Sequence, residues 1–387
     1  MKKSLIAVAV AGLFAAPVAM ADVTISGAIN IGIQLGKSSS STAGAPGLTT
    51  NQLHAAYSNI NISSTDDIGN GNKVIFNYQL NVDPSSFGNP TNRNSYLGFA
   101  GTWGAFKMGS NENVYERHMY QADTLDGAVG PGGNLNILGT PGVQTVFDVD
   151  QLGASSGAGQ VGFYRRSGQT IWYESPNFNG FTFEVDYTLS ARKTAGPAST
   201  DPKLVSIGAK YAPEGMPFYV DVAYEKHDDM FGANRLGAVG GTGSSDDGFQ
   251  IGGGWMLGDL GLHLRYEMLS YETDGITSGP GVINSYKRDA IWFGVKYNLP
   301  SGYVGAQLGI AKEGETNLGT ANDTGAKMLG VGYFHNLSKQ SQLQFIYGRT
   351  DNDAAATYAQ IGAAGGVGTS GAGADHQVFD VRLKHTF

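Results

Sequence analysis

The chain has 387 residues, a formal net charge of −8 and a sequence pI near 5.3, and this acidity argues against nucleic acid as a partner. It contains no cysteine, which excludes a disulfide framework and a thiolate metal site. Glycine contributes 58 residues, well above the usual share of about 7%. After the N-terminal segment, no run reaches the roughly 18 apolar residues that predict a membrane-spanning helix.

The N-terminal segment has the features of a secretory signal peptide. Lysines at positions 2 and 3 precede an apolar stretch, and Ala19-Met20-Ala21 forms a small-x-small cleavage site. The apolar stretch is shorter than the ~20 residues that a spanning helix needs, so we expect cleavage after Ala21 rather than a membrane anchor. The expected signal peptide is therefore residues 1–21 and the mature chain residues 22–387, whose formal charge changes from −8 to −10 with the loss of two lysines.

Apolar and polar residues alternate in many segments of the mature chain. In residues 23–35 the odd positions are apolar or glycine, whereas Thr24, Asn30 and Gln34 occupy even positions. Successive side chains of a strand point to opposite faces, so this period of two predicts strands with one apolar face. The same alternation occurs in residues 73–80, 181–189, 218–225, 260–268 and 379–387.

The last strand continues to a C-terminal aromatic residue. Val381, Leu383 and Phe387 share one face, while Arg382 and Lys384 share the other. An apolar outside and an ionic inside suit a barrel in lipid. We expect Phe387 to act as an assembly signal, read by the outer-membrane assembly machinery.

Short and long connections alternate between the predicted strands. The short ones are residues 66–72, 102–104, 175–180, 213–217, 258–259, 299–302 and 336–340. The long ones are residues 36–51, 83–92, 111–164, 192–202, 228–247, 273–285, 312–323 and 350–375. This alternation of short and long connections predicts a single domain, an all-β transmembrane antiparallel β-barrel of about 16 strands. A soluble β-sandwich would also alternate, but the signal peptide and the terminal aromatic residue favour the barrel.

The order of several short motifs resembles the general diffusion porins of the proteobacterial outer membrane, most closely those of Neisseria and related betaproteobacteria. The motifs are residues 22–27 (DVTISG), 64–71 (STDDIGNG), 95–99 (SYLGF), 175–181 (SPNFNGF) and 383–387 (LKHTF). The resemblance implies an outer-membrane homotrimer of sixteen-stranded barrels. It also implies that the third external loop, here residues 111–164, folds inward and narrows the pore.

This chain departs from the family at three pore positions. Many relatives carry acids at or near the positions of Asn30 and Asn81, and an arginine at the position of Ser110. The charge pattern of the family's pore therefore cannot be carried over.

The long third loop supplies candidate acids for a constriction. We expect residues 111–120 to begin a short helix, capped by Ser110 or Asn111, with two glutamates on one face. The candidate loop-side residues of the pore are Glu112, Glu116, Asp123 and Asp126. A solvated external loop with scattered charge is the alternative interpretation.

Alternation places several bases on the inward face of the barrel, opposite such a loop. The candidate pore-wall bases are Lys73, Arg93 near a mouth, Lys107, Arg166 and Arg265, and Lys210 and Lys296 also point inward. Arg382 and Lys384 are expected to pair with neighbours such as Asp380. Acids and bases on facing walls would create a transverse field, and the acidic loop predicts a weak preference for cations.

The pattern of residues gives little support to an enzyme. H-E-x-x-H does not occur, and no cofactor or metal is implied. The sequence thus predicts a passive, water-filled channel for ions and small hydrophilic solutes, in contact with outer-membrane lipid. The alternatives are a substrate-selective channel, an outer-membrane hydrolase and an adhesin with a plugged barrel.

Overall fold

The computed structural model describes residues 22–39, 47–86, 88–126, 130–143, 162–189, 203–228, 244–273, 283–360 and 371–387. The predicted signal peptide lies outside these residues. Among them, no helix is long and apolar enough to cross a membrane.

The described residues form a closed antiparallel barrel of sixteen strands, built from twenty strand segments in one sheet. The segments β1–β10 are Asp22–Ser38, Leu48–Ala55, Asn59–Gly69, Asn72–Asn81, Thr91–Asn92, Ser95–Gly101, Gly104–Glu112, Arg166–Glu174, Phe181–Thr188 and Lys203–Tyr211. The segments β11–β20 are Phe218–Asp228, Ser244–Leu257, Leu260–Thr273, Ser285–Leu299, Gly302–Ala311, Gly314–Thr316, Gly319–Ala321, Ala326–Asn336, Ser341–Asn352 and His376–Thr386. β2 and β3 both pair with β1, β5 and β6 both pair with β4, and β16 and β17 form a hairpin beyond the barrel wall.

The first and last strands close the barrel. β1 pairs with β20 from Ala28 opposite Thr386 to Ser38 opposite His376. Below this ladder, Gly27 and Phe387 exchange two backbone hydrogen bonds of 2.9 and 3.1 Å. The strand edges are thus paired, as lipid requires of any backbone that spans it, and the fold class predicted from the sequence is confirmed.

The two faces of the barrel wall follow the predicted alternation. In β20, Phe379 and Leu383 are exposed on the outside, whereas Asp380 and Arg382 are buried inside. Arg382 Nε donates to Asp380 Oδ2 at 2.7 Å, which is the pairing expected for this arginine. The apolar exterior is the surface that hydrocarbon would cover.

The short connections lie close to the predicted bounds. The turn between β3 and β4 uses Asn70 and Gly71 with φ of 53° and 75°, a left-handed conformation that favours these two residue types. The long connections differ more, because β1 continues to Ser38 and β12 begins at Ser244, both inside predicted loops. The predicted loop at 312–323 also contains the β16–β17 hairpin.

The connection between β7 and β8 folds into the barrel. It contains the helix α1, Val114–Met119, and single 3-10 turns at Tyr120–Ala122 and Asn134–Asn136. Tyr115, Met119 and Leu135 of this connection are fully buried. The described part of this connection therefore packs against the inner face of the barrel wall.

Candidate pore constriction

The start of the inward loop is fixed by acceptors on the barrel wall. Val114 N donates to Asp186 Oδ2 at 2.8 Å, and Tyr115 N donates to Ser206 Oγ at 2.9 Å. The first backbone N–H groups of a helix lack partners within it, so β9 and β10 supply the cap. The residue before α1, Asn113, makes no side-chain cap hydrogen bond.

The helix prediction was wrong in two details. Capping by Ser110 or Asn111 does not occur, because β7 extends to Glu112, which lies opposite Arg166 of β8. Glu112 therefore belongs to a strand and does not share a helical face with Glu116. Strand pairing between β7 and β8 overrides the local helical signal of residues 111–113.

A second row of contacts anchors the helix to β9 and β11. His118 Nδ1 lies 2.9 Å from Asp221 Oδ2, and Arg117 lies 2.6 Å from Glu184. Arg265 contacts the same Asp221 at 2.8 Å and is fully buried. Arg265 points inward as predicted, but α1 covers it, so its side chain does not reach the open passage.

The far part of the loop is clamped by one glutamate of β13. Glu267 accepts hydrogen bonds from Gly139 N at 2.9 and 3.0 Å and from the Tyr115 hydroxyl at 3.1 Å. Arg288 lies 2.9 Å from the same carboxylate and donates to Ile137 O at 2.7 Å. Charge-assisted hydrogen bonds of this kind are stronger than neutral ones, so the loop is held at both its start and its middle.

A cluster of four charged residues lies where the loop leaves β7. Glu112 contacts Arg166 closely and Arg93 at 3.4 Å, and each of the three side chains is about 15% exposed. Arg166 Nε also donates to Asn94 Oδ1 at 2.7 Å. Glu116, the fourth member, is nearly buried and accepts a close hydrogen bond from the Tyr120 hydroxyl. Two predicted acids and two predicted bases are thus brought together.

The protonation of Glu116 depends on this environment. Burial, followed by the negative charge of Glu112, raises the pKa of Glu116 to about 7, and the two arginines act in the opposite direction. Glu116 is therefore a group of the cluster whose charge changes near neutral pH.

The tip of the loop is attached to β15, β19 and β20. Asp123 accepts from Gln307 Nε2 at 2.9 Å. Asp126 pairs with Lys384 Nζ at 2.7 Å and accepts from Gln344 Nε2 at 2.8 Å. Lys384 was expected to pair with a neighbour such as Asp380, and that prediction was wrong, because the loop tip presents Asp126 to it.

The described residues leave a space between the loop tip and the wall strands β1, β3, β14, β15 and β20, and we call this space the passage. A cavity of about 440 Å³ lies there. Its lining is polar and carries both charge signs, from Asn30, Tyr57, Asn59, Tyr120, Asp123, Asp126, Lys296, Tyr303 and Lys384, together with Ala28 and Thr124. Lys296 Nζ lies 4.0 Å from the ring centre of Tyr303. Tyr57, which no sequence pattern identified, adjoins the four-residue cluster through Arg93 at 5.7 Å.

Two other predicted bases lie away from this cavity. Lys107 pairs with Glu174 at 2.7 Å and lies 4.9 Å from the ring centre of Tyr96. Lys73 is exposed beside the short turn that follows β3. Of the five predicted wall bases, Arg93 and Arg166 therefore face the loop acids.

Comparisons with known proteins identify the family. A family model described as Gram-negative porin matches residues 7–355. The chain is 25% identical to outer membrane porin protein 32 of Delftia acidovorans over 347 residues, which cover 89% of this chain and 88% of that protein. It is 30% identical to the major outer membrane protein P.IB of Neisseria gonorrhoeae over 192 residues, 48% of each chain.

Solved structures show the same fold. The anion-selective porin from Comamonas acidovorans superposes with a TM-score of 0.71 at 19% identity, over 95% of this chain and 100% of that one. OmpT of Vibrio cholerae, expressed in the outer membrane, superposes with a TM-score of 0.65 at 12% identity, over 96% and 99%. The chain thus belongs to the Gram-negative porin family and is an integral β-barrel protein of the outer membrane.

Proposed function

We propose that this porin is a passive, water-filled channel that admits ions and small hydrophilic solutes without a cofactor or a chemical step. The observation that carries the proposal is the cavity of about 440 Å³ between the loop tip and the wall. Both charge signs line it, with Asp123 and Asp126 on the loop and Lys296 and Lys384 on the wall. Such a lining screens polar solutes by field and size rather than by a shaped pocket.

The sign of the selectivity that we infer differs from the sequence expectation. A cation preference is not supported, because Glu112 contacts two arginines and Asp126 contacts Lys384. We infer a nearly balanced passage with a weak preference for anions while Glu116 is protonated. The description of the Comamonas acidovorans porin as anion-selective favours the same sign.

We also propose a homotrimer whose subunits meet through the apolar exterior near β1. Val23, Ile25, Ile33 and Leu35 of this strand expose between 48% and 66% of their surface. The trimer form recorded for Vibrio cholerae OmpT lends support by similarity of fold. Unheated detergent samples should migrate well above the monomer and collapse on boiling, and migration as a monomer after gentle extraction would contradict the proposal.

Reversal potentials in planar bilayers test the channel and its selectivity. Under a potassium chloride gradient, we expect stepwise conductance. We also expect a reversal potential whose sign indicates that chloride is more permeant than potassium. Absence of conductance from folded, heat-modifiable protein would reject the channel itself. A reversal potential that favours potassium would reject only the inferred sign and restore the original cation prediction.

A further inference from the structure

Tyr57, between β2 and β3, has a backbone conformation that is unusual for its residue type. Its φ is 51°, in the left-handed region. Five other described residues that are not glycine have a positive φ, and four of them are asparagine or aspartate, which adopt this conformation readily. A bulky aromatic residue there is an outlier. Such outliers persist where the surrounding structure holds them, and they cluster at functional sites, so the position of the Tyr57 ring needs an explanation.

A β-bulge against β1 holds Tyr57 in place. The register of β1 with β2 and then with β3 leaves the three residues 56–58 opposite the two residues 29–30. The buried hydroxyl of Ser58 accepts from Asn30 N at 2.9 Å and donates to Asn30 O at 3.2 Å. A bulge with one extra residue redirects the side chains of its strand. Here the bulge places Tyr57 in the lining of the passage.

Tyr57 lies on the wall side of the passage, and Tyr120 lies on the loop side. The Tyr120 hydroxyl donates to Glu116, which fixes one end of that ring. The guanidinium carbon of Arg93 lies 5.7 Å from the centre of the Tyr57 ring. The same cavity of about 440 Å³ is also lined by Lys296. Aromatic rings from both sides therefore share one space with basic side chains.

We propose that Tyr57 and Tyr120 form a specificity-determining site that favours aromatic carboxylates over non-aromatic carboxylates of similar size, an inference that rests on the proposed channel function. A planar ring stacks on the face or edge of tyrosine, whereas a saturated ring offers no π system for this contact. The carboxylate of the solute accepts charge-assisted hydrogen bonds from a base of the lining such as Lys296. The left-handed conformation of Tyr57 thus keeps an aromatic ring at a position where the backbone alone would favour glycine or asparagine.

The test measures the block of single-channel potassium chloride current by benzoate and by cyclohexanecarboxylate at neutral pH. The half-blocking concentration of benzoate should be about twofold to tenfold lower in the native protein, the range that one aromatic pair contributes. Tyr57→Phe keeps the ring and should keep this difference, and Tyr57→Leu should abolish it. Tyr57→Asn should also abolish it and suits the left-handed backbone, which guards against misfolding of the leucine variant. The matched control is Tyr78→Leu, which removes an exposed tyrosine from the barrel exterior.

Several outcomes would overturn the proposal. Equal half-blocking concentrations of the two anions in a native channel that conducts potassium chloride would reject the aromatic site and leave the channel function intact. A difference that persists in both Tyr57→Leu and Tyr57→Asn would assign it to other residues. Its loss in Tyr57→Phe would assign it to the hydroxyl, and its loss in Tyr78→Leu would make it a general effect of substitution. Stronger block by benzylammonium than by benzoate would reverse the assigned charge of the solute.

Discussion

Asp126 at the tip of the inward loop and Lys384 in the last strand form an ion pair of 2.7 Å between residues 258 positions apart. The pair joins the constriction to the strand that closes the barrel. Its side chains are 31% and 27% exposed, so the passage can hydrate it. The loop tip is therefore attached less strongly than the loop middle, where Glu267 and Arg288 are fully buried.

The Asp126–Lys384 pair should limit movement of the loop tip. Asp126→Asn and Lys384→Gln should each raise the frequency of brief current interruptions in single channels, because a partly exposed pair contributes up to about 1 kcal/mol. The double variant should resemble the single variants, since both remove the same contact. Glu214→Gln, in an exposed short turn, is the control. Additive effects in the double variant would mean that the two residues act separately.

The glutamates of the four-residue cluster should govern selectivity. Glu112→Gln/Glu116→Gln leaves Arg93 and Arg166 unopposed, so the permeability of cations relative to anions should fall by roughly twofold to fivefold. Reversal potentials measure the ratio. The control Glu214→Gln/Glu313→Gln removes the same charge at exposed positions outside the passage. An unchanged ratio in the cluster variant would place these acids outside the conduction path.

The selectivity should also depend on pH through Glu116. Burial and the charge of Glu112 raise the pKa of Glu116 to about 7, so this acid is neutral below that pH and charged above it. The cluster then carries a net charge of about +1 in acid and about zero in base, with the two arginines and Glu112 charged throughout. Preference for chloride should accordingly fall as the pH rises through about 7. Glu116→Gln should fix the acid-side preference, and a full pH response in this variant would assign the titration elsewhere.

Phe387 should be required for efficient assembly. Its backbone pairs with Gly27 at the closing seam, and its ring is exposed on the apolar exterior. Deletion of Phe387 should lower the amount of heat-modifiable protein recovered from outer membranes, measured against total expressed protein. Phe178→Ala removes an aromatic ring of comparable exposure from a short turn and should assemble normally. Equal recovery of the deletion and the control would remove Phe387 from the assembly signal.

The faces of the strands could be predicted from the sequence because alternation is a local property. Arg382 and Leu383 are neighbours in the chain, and the pleat alone places one inside and the other outside. Whether the side chain of each inward base extends into the passage could not be predicted in the same way. Arg265 and Arg93 have the same inward direction, but only the path of the loop decides that α1 covers Arg265 and leaves Arg93 beside the passage.

The helix bounds depended on distant residues for a similar reason. The first N–H groups of α1 find their acceptors at Asp186 and Ser206, 72 and 91 positions away from their donors. A capping rule that considers adjacent residues does not include such partners. The cluster of Glu112 with Arg166 likewise depends on the β7–β8 register, which brings the two ends of the loop together.

The contacts between the inward loop and the barrel wall imply an order of events in folding. The inward loop follows β7 in the chain, yet its hydrogen-bond partners lie on β9, β10, β13, β15 and β20. Contacts of such long sequence separation form late, because the intervening chain must first be ordered. An unfinished barrel would thus have a wide lumen, and narrowing of the lumen would be completed only when the strand that contains Lys384 is in place. A narrowed lumen would therefore form only in a barrel whose wall is complete.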